Sequence, residues 1–209
     1  MTSTKEHFST FCADIGSVKA KRFGWFGIDA DDSTESGESI EDLAQAVAGR
    51  LSQGHKVALG FECPLFVPFR QDPQNISNAR LGEGNRSWSA GAGCGALTIG
   101  LVEVAWILRE IRKKLLRKAD AFVSWNGFAE AENGLFLWEA FVSGNAKGGG
   151  HIQDAEIAVR RFLASMPNPE AQNAIREDEV FSLVGACLIR TGWTTDLSLL
   201  CKSCIVIKV

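Results

Sequence analysis

Two apolar, aromatic-rich runs, residues 8–15 and 23–28, are separated only by the polar segment 17–22. A joint that short returns the second strand antiparallel to the first, because a parallel return needs a crossover of a dozen or more residues. The chain therefore opens with a hairpin, and every later element must lie on or beside that sheet. The acidic stretch 29–38 shows no third strand. Ser39 then caps a helix, with Asp42 three residues on as a weaker capping-box acid. Leu43, Val47 and Leu51 form its apolar stripe and Gly54 ends it. Residues 57–61 follow as a short run of buried-strand character, broken by Pro64 and Pro68.

Residues 69–95 read as a long irregular loop, and within it the run 91–95 reads as a flexible glycine-rich segment that closes near a site. A helix over 97–118 is apolar first and basic at its end, as the helix dipole favours. Strands are expected at 122–125 and 135–142, a helix at 152–164 stopped by Pro167 and Pro169, an apolar helix at 180–189, and a last strand at 204–209. A hairpin followed by strands alternating with helices points to an α/β fold, a mixed sheet with helices on its faces. One domain over residues 1–209 accommodates it, and a chain of this size needs no disulfide or metal staple.

The net charge of −3 gives no general attraction to nucleic acid or to an anionic membrane, so such binding needs a local patch. The basic stretch from Arg109 to Lys118 is either a solvated helix end or that patch. The apolar region 96–108 is interrupted by Glu103 and does not read as a membrane span. Residues 1–7 carry Lys5 and Glu6 and lack the apolar centre of a signal peptide, so a cytoplasmic location is expected. The six cysteines then read as buried, reduced thiols and not as a disulfide framework. Cys201 and Cys204 form a lone CxxC leading into a strand, which fits neither a zinc site nor a redox helix.

The acidic residues carry the chemistry. Asp14 ends the first strand, Glu62 ends the run 57–61, Glu139 sits within 135–142, and His151 and Asp154 open a helix. Carboxylates at strand ends and at a helix start can share one crevice, where they raise one another's pKa. Magnesium or manganese relieves that conflict and activates water. Asp14 and Glu62 are expected to face each other across adjacent strands with carboxylates within about 8 Å, a distance one or two bridged ions can span.

The segment Asp14-Ile15-Gly16-Ser17, the hairpin, and Phe23-Gly24-Trp25 resemble the start of an RNase H-like domain. Gly60-Phe61-Glu62-Cys63-Pro64-Leu65, followed by Asn78-Ala79-Arg80-Leu81-Gly82, is similar to a bacterial and archaeal family of unknown function classed as predicted RNase H-like nucleases. That family has an acidic residue before a Pro-Leu pair, then an arginine and a Leu-Gly. His151-x-x-Asp154-Ala155 is similar to the last catalytic motif of Holliday-junction resolvases of the same fold. The resemblance spans residues 8–190. It implies an RNase H-like mixed sheet with helices on both faces, two or three metal-binding carboxylates, and phosphodiester hydrolysis. The family's paired-acid ending would fall at Glu177, Asp178 and Glu179. Asp154 is preferred as the helix carboxylate, because Ala155, Ala158, Val159 and Phe162 suit its helix to packing on a sheet.

Each residue also has a plainer role. Asp14 could start a turn, Glu62 could be a solvated strand end, Asp154 could satisfy the helix dipole, His151 could cap a loop, and Glu139 could pair with Lys147 or Arg161. Trp88, Trp106, Trp125 and Trp138 fit core or pocket wall better than stacking platforms. Three functions follow. The first is a nuclease-like phosphodiesterase in which Asp14, Glu62, Glu139 and Asp154 hold magnesium or manganese and His151 positions or deprotonates water. The second is a non-catalytic nucleotide-binding domain, since the Asp-Ile-Gly-Ser turn also resembles the first phosphate loop of actin-like ATPases. The third is an interaction protein acting as a homo-oligomer.

Overall fold

The computed structural model describes residues 8–209. The expectation for residues 1–7 lies outside the described residues. Strands β1 (Phe8–Asp14) and β2 (Gly24–Ile28) form the expected antiparallel hairpin, with Asp14 opposite Gly24. The stretch read as strandless contains β3 (Thr34–Gly37), antiparallel to β2 at the sheet edge. Its sequence, Thr-Glu-Ser-Gly, is polar because an edge strand has one side in water, so it carries no apolar alternation.

Helix α1 (Ile40–Ser52) starts at Ser39, whose hydroxyl accepts the Asp42 amide. Strand β4 (Lys56–Glu62) then lies parallel to β1 in the register Asp14 to Glu62. Strand β5 (Phe66–Pro68) leaves this sheet. Helix α2 (Gly91–Lys114) begins at the glycine-rich run that the sequence places in a loop. Its first turn lies against the preceding chain: a Cβ on Gly93 would stand 2.2 Å from the Ser87 carbonyl oxygen. Contrary to the sequence reading, α2 is long and apolar enough by length and composition to cross a membrane. Here it packs on α1 and buries Val104, Ile107, Leu108 and Ile111 in the core.

Strand β6 (Ala121–Phe122) is shorter than expected, and helix α3 (Trp125–Glu130) takes over at its end. Strand β7 (Gly134–Phe141) runs parallel to β4, and helix α4 (His151–Ala164) packs back on β1 and β2. The segment read as one apolar helix divides into β8 (Val180–Ser182), which pairs with β5, and α5 (Leu183–Arg190), which packs on α2. Strand β9 (Val206–Lys208) closes the chain beside the second half of β7, while β6 lies beside its first half.

The main sheet therefore runs β3-β2-β1-β4-β7, with β6 and β9 sharing the outer edge of β7. It is a mixed sheet consistent with an RNase H-like α/β fold. Strand alternation divides its side chains between two cores. Phe11, Ala13, Leu59, Phe61 and Leu137 pack with α1, α2 and α5, whereas Phe8, Cys12, Ala58, Phe136 and Trp138 pack with α3 and α4. On the second face Trp138 stacks on Phe162 of α4 with ring centroids 4.5 Å apart. All six cysteines are free thiols; Cys94 and Cys201 are exposed, contrary to the expectation of burial, whereas burial pushes Cys12, Cys63 and Cys204 well up, away from reactivity.

Candidate metal centre

Because β1 and β4 are parallel and in register, their last residues, Asp14 and Glu62, are neighbours at the carboxyl end of the sheet. Both have even positions, which on these strands face α4. Helix α4 supplies the third acid from its first turn. The carboxylates of Asp14, Glu62 and Asp154 each offer an oxygen within 4.8 Å of the others. Asp14 and Asp154 are buried and Glu62 nearly so.

Local bonds fix each group. Asp154 accepts the Gly148 amide at 2.5 Å, turning its carboxylate back to the loop before α4. His151 Nδ1 lies 2.5 Å from Asp14 Oδ2; with the proton of that bond on Nδ1, Nε2 is left for water or ligand. Lys147 Nζ donates to Glu62 Oε1 and to Asp154 Oδ2, each at 3.2 Å. The second Glu62 oxygen, Oε2, is buried with no hydrogen-bond partner.

The electrostatics follow from crowding. Burial, then the charge of Asp14, push Glu62 up to about 8, although Lys147 pulls it down. Burial also raises Asp14, opposed by the bond and charge of His151. Burial pulls Lys147 down, but Glu62 and Asp154 more than offset it and hold the ammonium above its usual value. Beneath the turn that follows Asp14, Glu103 of α2 is pushed up to about 7 by burial, while the Gly16 and Val18 amides draw it back. Buried, mutually repelling carboxylates with an unpartnered oxygen suit a hard divalent cation, which neutralises them and takes oxygen ligands.

Glu139 does not join this cluster. It is the register partner of Phe61, not Glu62, so it lies on the opposite face. There it accepts Arg80 Nη2 at 2.5 Å, Arg80 Nη1 at 2.9 Å and the Leu65 amide at 2.9 Å. Its expected partners, Lys147 and Arg161, are engaged elsewhere. The alternative acids also lie apart. Glu177 accepts Arg70 and the Leu81 amide, in the loop before β8 and not in the first turn of a helix.

The sequence offers Lys147 only as a partner for Glu139, and it assigns Arg80 and Glu103 no place near the site. Arg80 carries a signal, its place before a Leu-Gly pair, which gives no role by itself. Buried Arg80 also bonds Glu83 and the Phe66 carbonyl, which seats the loop ahead of α2. That loop, the start of α2 and the strand ends enclose a cavity of about 290 Å³ whose lining includes Asp14, Glu62 and His151.

The height of α4 over the sheet depends on Gly24. A Cβ there would stand 2.7 Å from the Ile152 nitrogen and 2.8 Å from the His151 carbonyl carbon and Cβ. Gly24→Ala is expected to lift the first turn of α4, with a loss of roughly 1–3 kcal/mol in stability from overpacking. Manganese affinity, read by calorimetry, should fall at least tenfold. Unchanged affinity would mean that the turn can shift without moving Asp154. Comparison with protein families, curated proteins and solved structures finds no match to this chain.

Proposed function

We propose that this protein is a divalent-cation-dependent phosphodiester hydrolase of nuclease type, related to the predicted RNase H-like nucleases. The observation that carries this reading is the triad Asp14, Glu62 and Asp154, converging at the end of two parallel strands and one helix start. These three residues would hold magnesium or manganese, which supplies Lewis acidity and lowers the pKa of bound water. The chain's own groups complete the arrangement. His151, braced on Asp14 and half-exposed, presents a nitrogen at the cavity to position a water or take its proton. Lys147 brings positive charge to the edge where an anionic substrate would arrive.

Lys147 also favours a second reading. An ammonium bridging two of the three acids can neutralise them without metal, as suits a domain that keeps the fold and binds nucleotide without turnover. Manganese calorimetry separates the two. The hydrolase reading expects micromolar to low-millimolar binding and metal-dependent cleavage of a nucleic-acid panel. Asp154→Asn should keep the fold and weaken manganese at least tenfold, whereas Asp178→Asn should leave it unchanged. No manganese binding, or the reverse order of the two variants, would overturn the hydrolase reading.

A further inference from the structure

The cavity beside the triad has more structure than metal binding requires. Its floor and walls are largely apolar: Ile15, Pro64, Ile99, Phe141 and Val142 line it, and Trp88 forms part of one side. Trp88 is held at both ends, its amide donating to Glu83 Oε2 at 3.2 Å and its indole N–H to the Asn78 carbonyl at 3.0 Å. Glu83 is in turn fixed by Arg80, so the indole stands on a braced loop. Arg86, on the same loop and also lining the cavity, is exposed and has no ion-pair partner among the described residues. One cavity thus carries Asp14 and Glu62 of the triad at one end, with Asp154 just behind them, a fixed aromatic ring with an apolar floor, and a free guanidinium.

We propose that the cavity receives one unpaired nucleotide of a single-stranded nucleic acid, with the base against Trp88 and the adjoining phosphate at the triad. This inference rests on the hydrolase reading and names its substrate class. A flat, apolar-faced group joined to an anion satisfies both ends of the cavity, and base–aromatic stacking tolerates any base. A base paired and stacked within a duplex cannot present its faces to an indole, so a strand end or single strand is the form that fits. Lys19, Lys21 and Arg22, exposed on the turn that follows Asp14, have no ion-pair partner among the described residues and supply charge for neighbouring phosphates.

The test is calorimetry in saturating manganese with thymidine 5′-monophosphate and with deoxyribose 5-phosphate, which lacks the base. The nucleotide should bind roughly ten- to hundredfold more tightly than the abasic sugar phosphate. Trp88→Ala should bring the two together without altering manganese affinity measured alone. Ala96→Phe, which adds a ring to the cavity from α2, should do the same if the indole variant misfolds. Equal binding of the two ligands by the wild type, or discrimination that survives both variants, overturns this inference while the metal reading stands. Absence of manganese binding overturns both.

Discussion

Arg80→Met is expected to destabilise the protein by about 3–5 kcal/mol, the usual result of removing one partner from a buried ion pair. Arg80, Glu83 and Glu139 are almost wholly buried, and the guanidinium bonds both carboxylates and the Phe66 carbonyl. Burial works against the Arg80 charge, but Glu139 and then Glu83 more than offset it. Methionine keeps most of the volume yet strands two acids without a counter-charge. For a domain of this size the melting temperature should drop by roughly 6–20 °C. Adding Glu139→Gln should recover part of the loss, since one stranded charge is removed. A drop below about 1 kcal/mol in urea unfolding would mean that water reaches the acids. Manganese binding well below the transition should survive, because the triad lies on the other face of the sheet.

Glu62→Gln should act in the opposite direction on stability while abolishing manganese binding. In the metal-free protein Glu62 is pushed up to about 8, from an ordinary 4.5 when unfolded. Between those values the folded protein holds a proton that the unfolded chain has released. The contribution of Glu62 to stability is therefore full below about pH 4.5 and is lost as pH rises through about 8, with Asp14 shifted in the same direction. Glutamine cannot ionise, so it removes the Glu62 part of that slope. At about pH 9, without metal, Glu62→Gln should be more stable than wild type by about 2–4 kcal/mol, less whatever the Lys147 contact contributes. Thermal melts in chelator from about pH 5 to pH 9 measure this. Parallel curves for the two proteins would show that Glu62 is ionised throughout and already balanced by Lys147.

The paired strand ends were legible because Asp14 and Glu62 each stop an apolar run, and their adjacency follows once the strands pair in parallel register. Asp154 was legible from the small and apolar residues behind it, which bury against the sheet as expected. Glu139 was not. On β7, Leu135 and Leu137 alternate with Phe136 and Trp138, and both sets are buried because helices cover both faces. On such a strand the alternation that would assign a residue to one face disappears. The Arg80 pairing was hidden because its partner Glu139 is distant in sequence. The start of α2 was hidden for another reason: glycine is a poor helix former, and Gly93 is there for close approach to the Ser87 carbonyl.

The parallel register of β1 and β4 has a consequence for how this sequence can drift. The acids at the two strand ends share an alternation with the apolar residues that pack under α4. A slip of one residue in β4 would carry Glu62 to the side of α1 and α2 and drive Phe61 out of it. A carboxylate there would meet the apolar core and an Arg80 already engaged by Glu83 and Glu139. The acids thus disfavour the slipped pairing, and they act as alignment marks for the sheet. Polar residues other than these acids at the same two places would keep the strands in step by the same means.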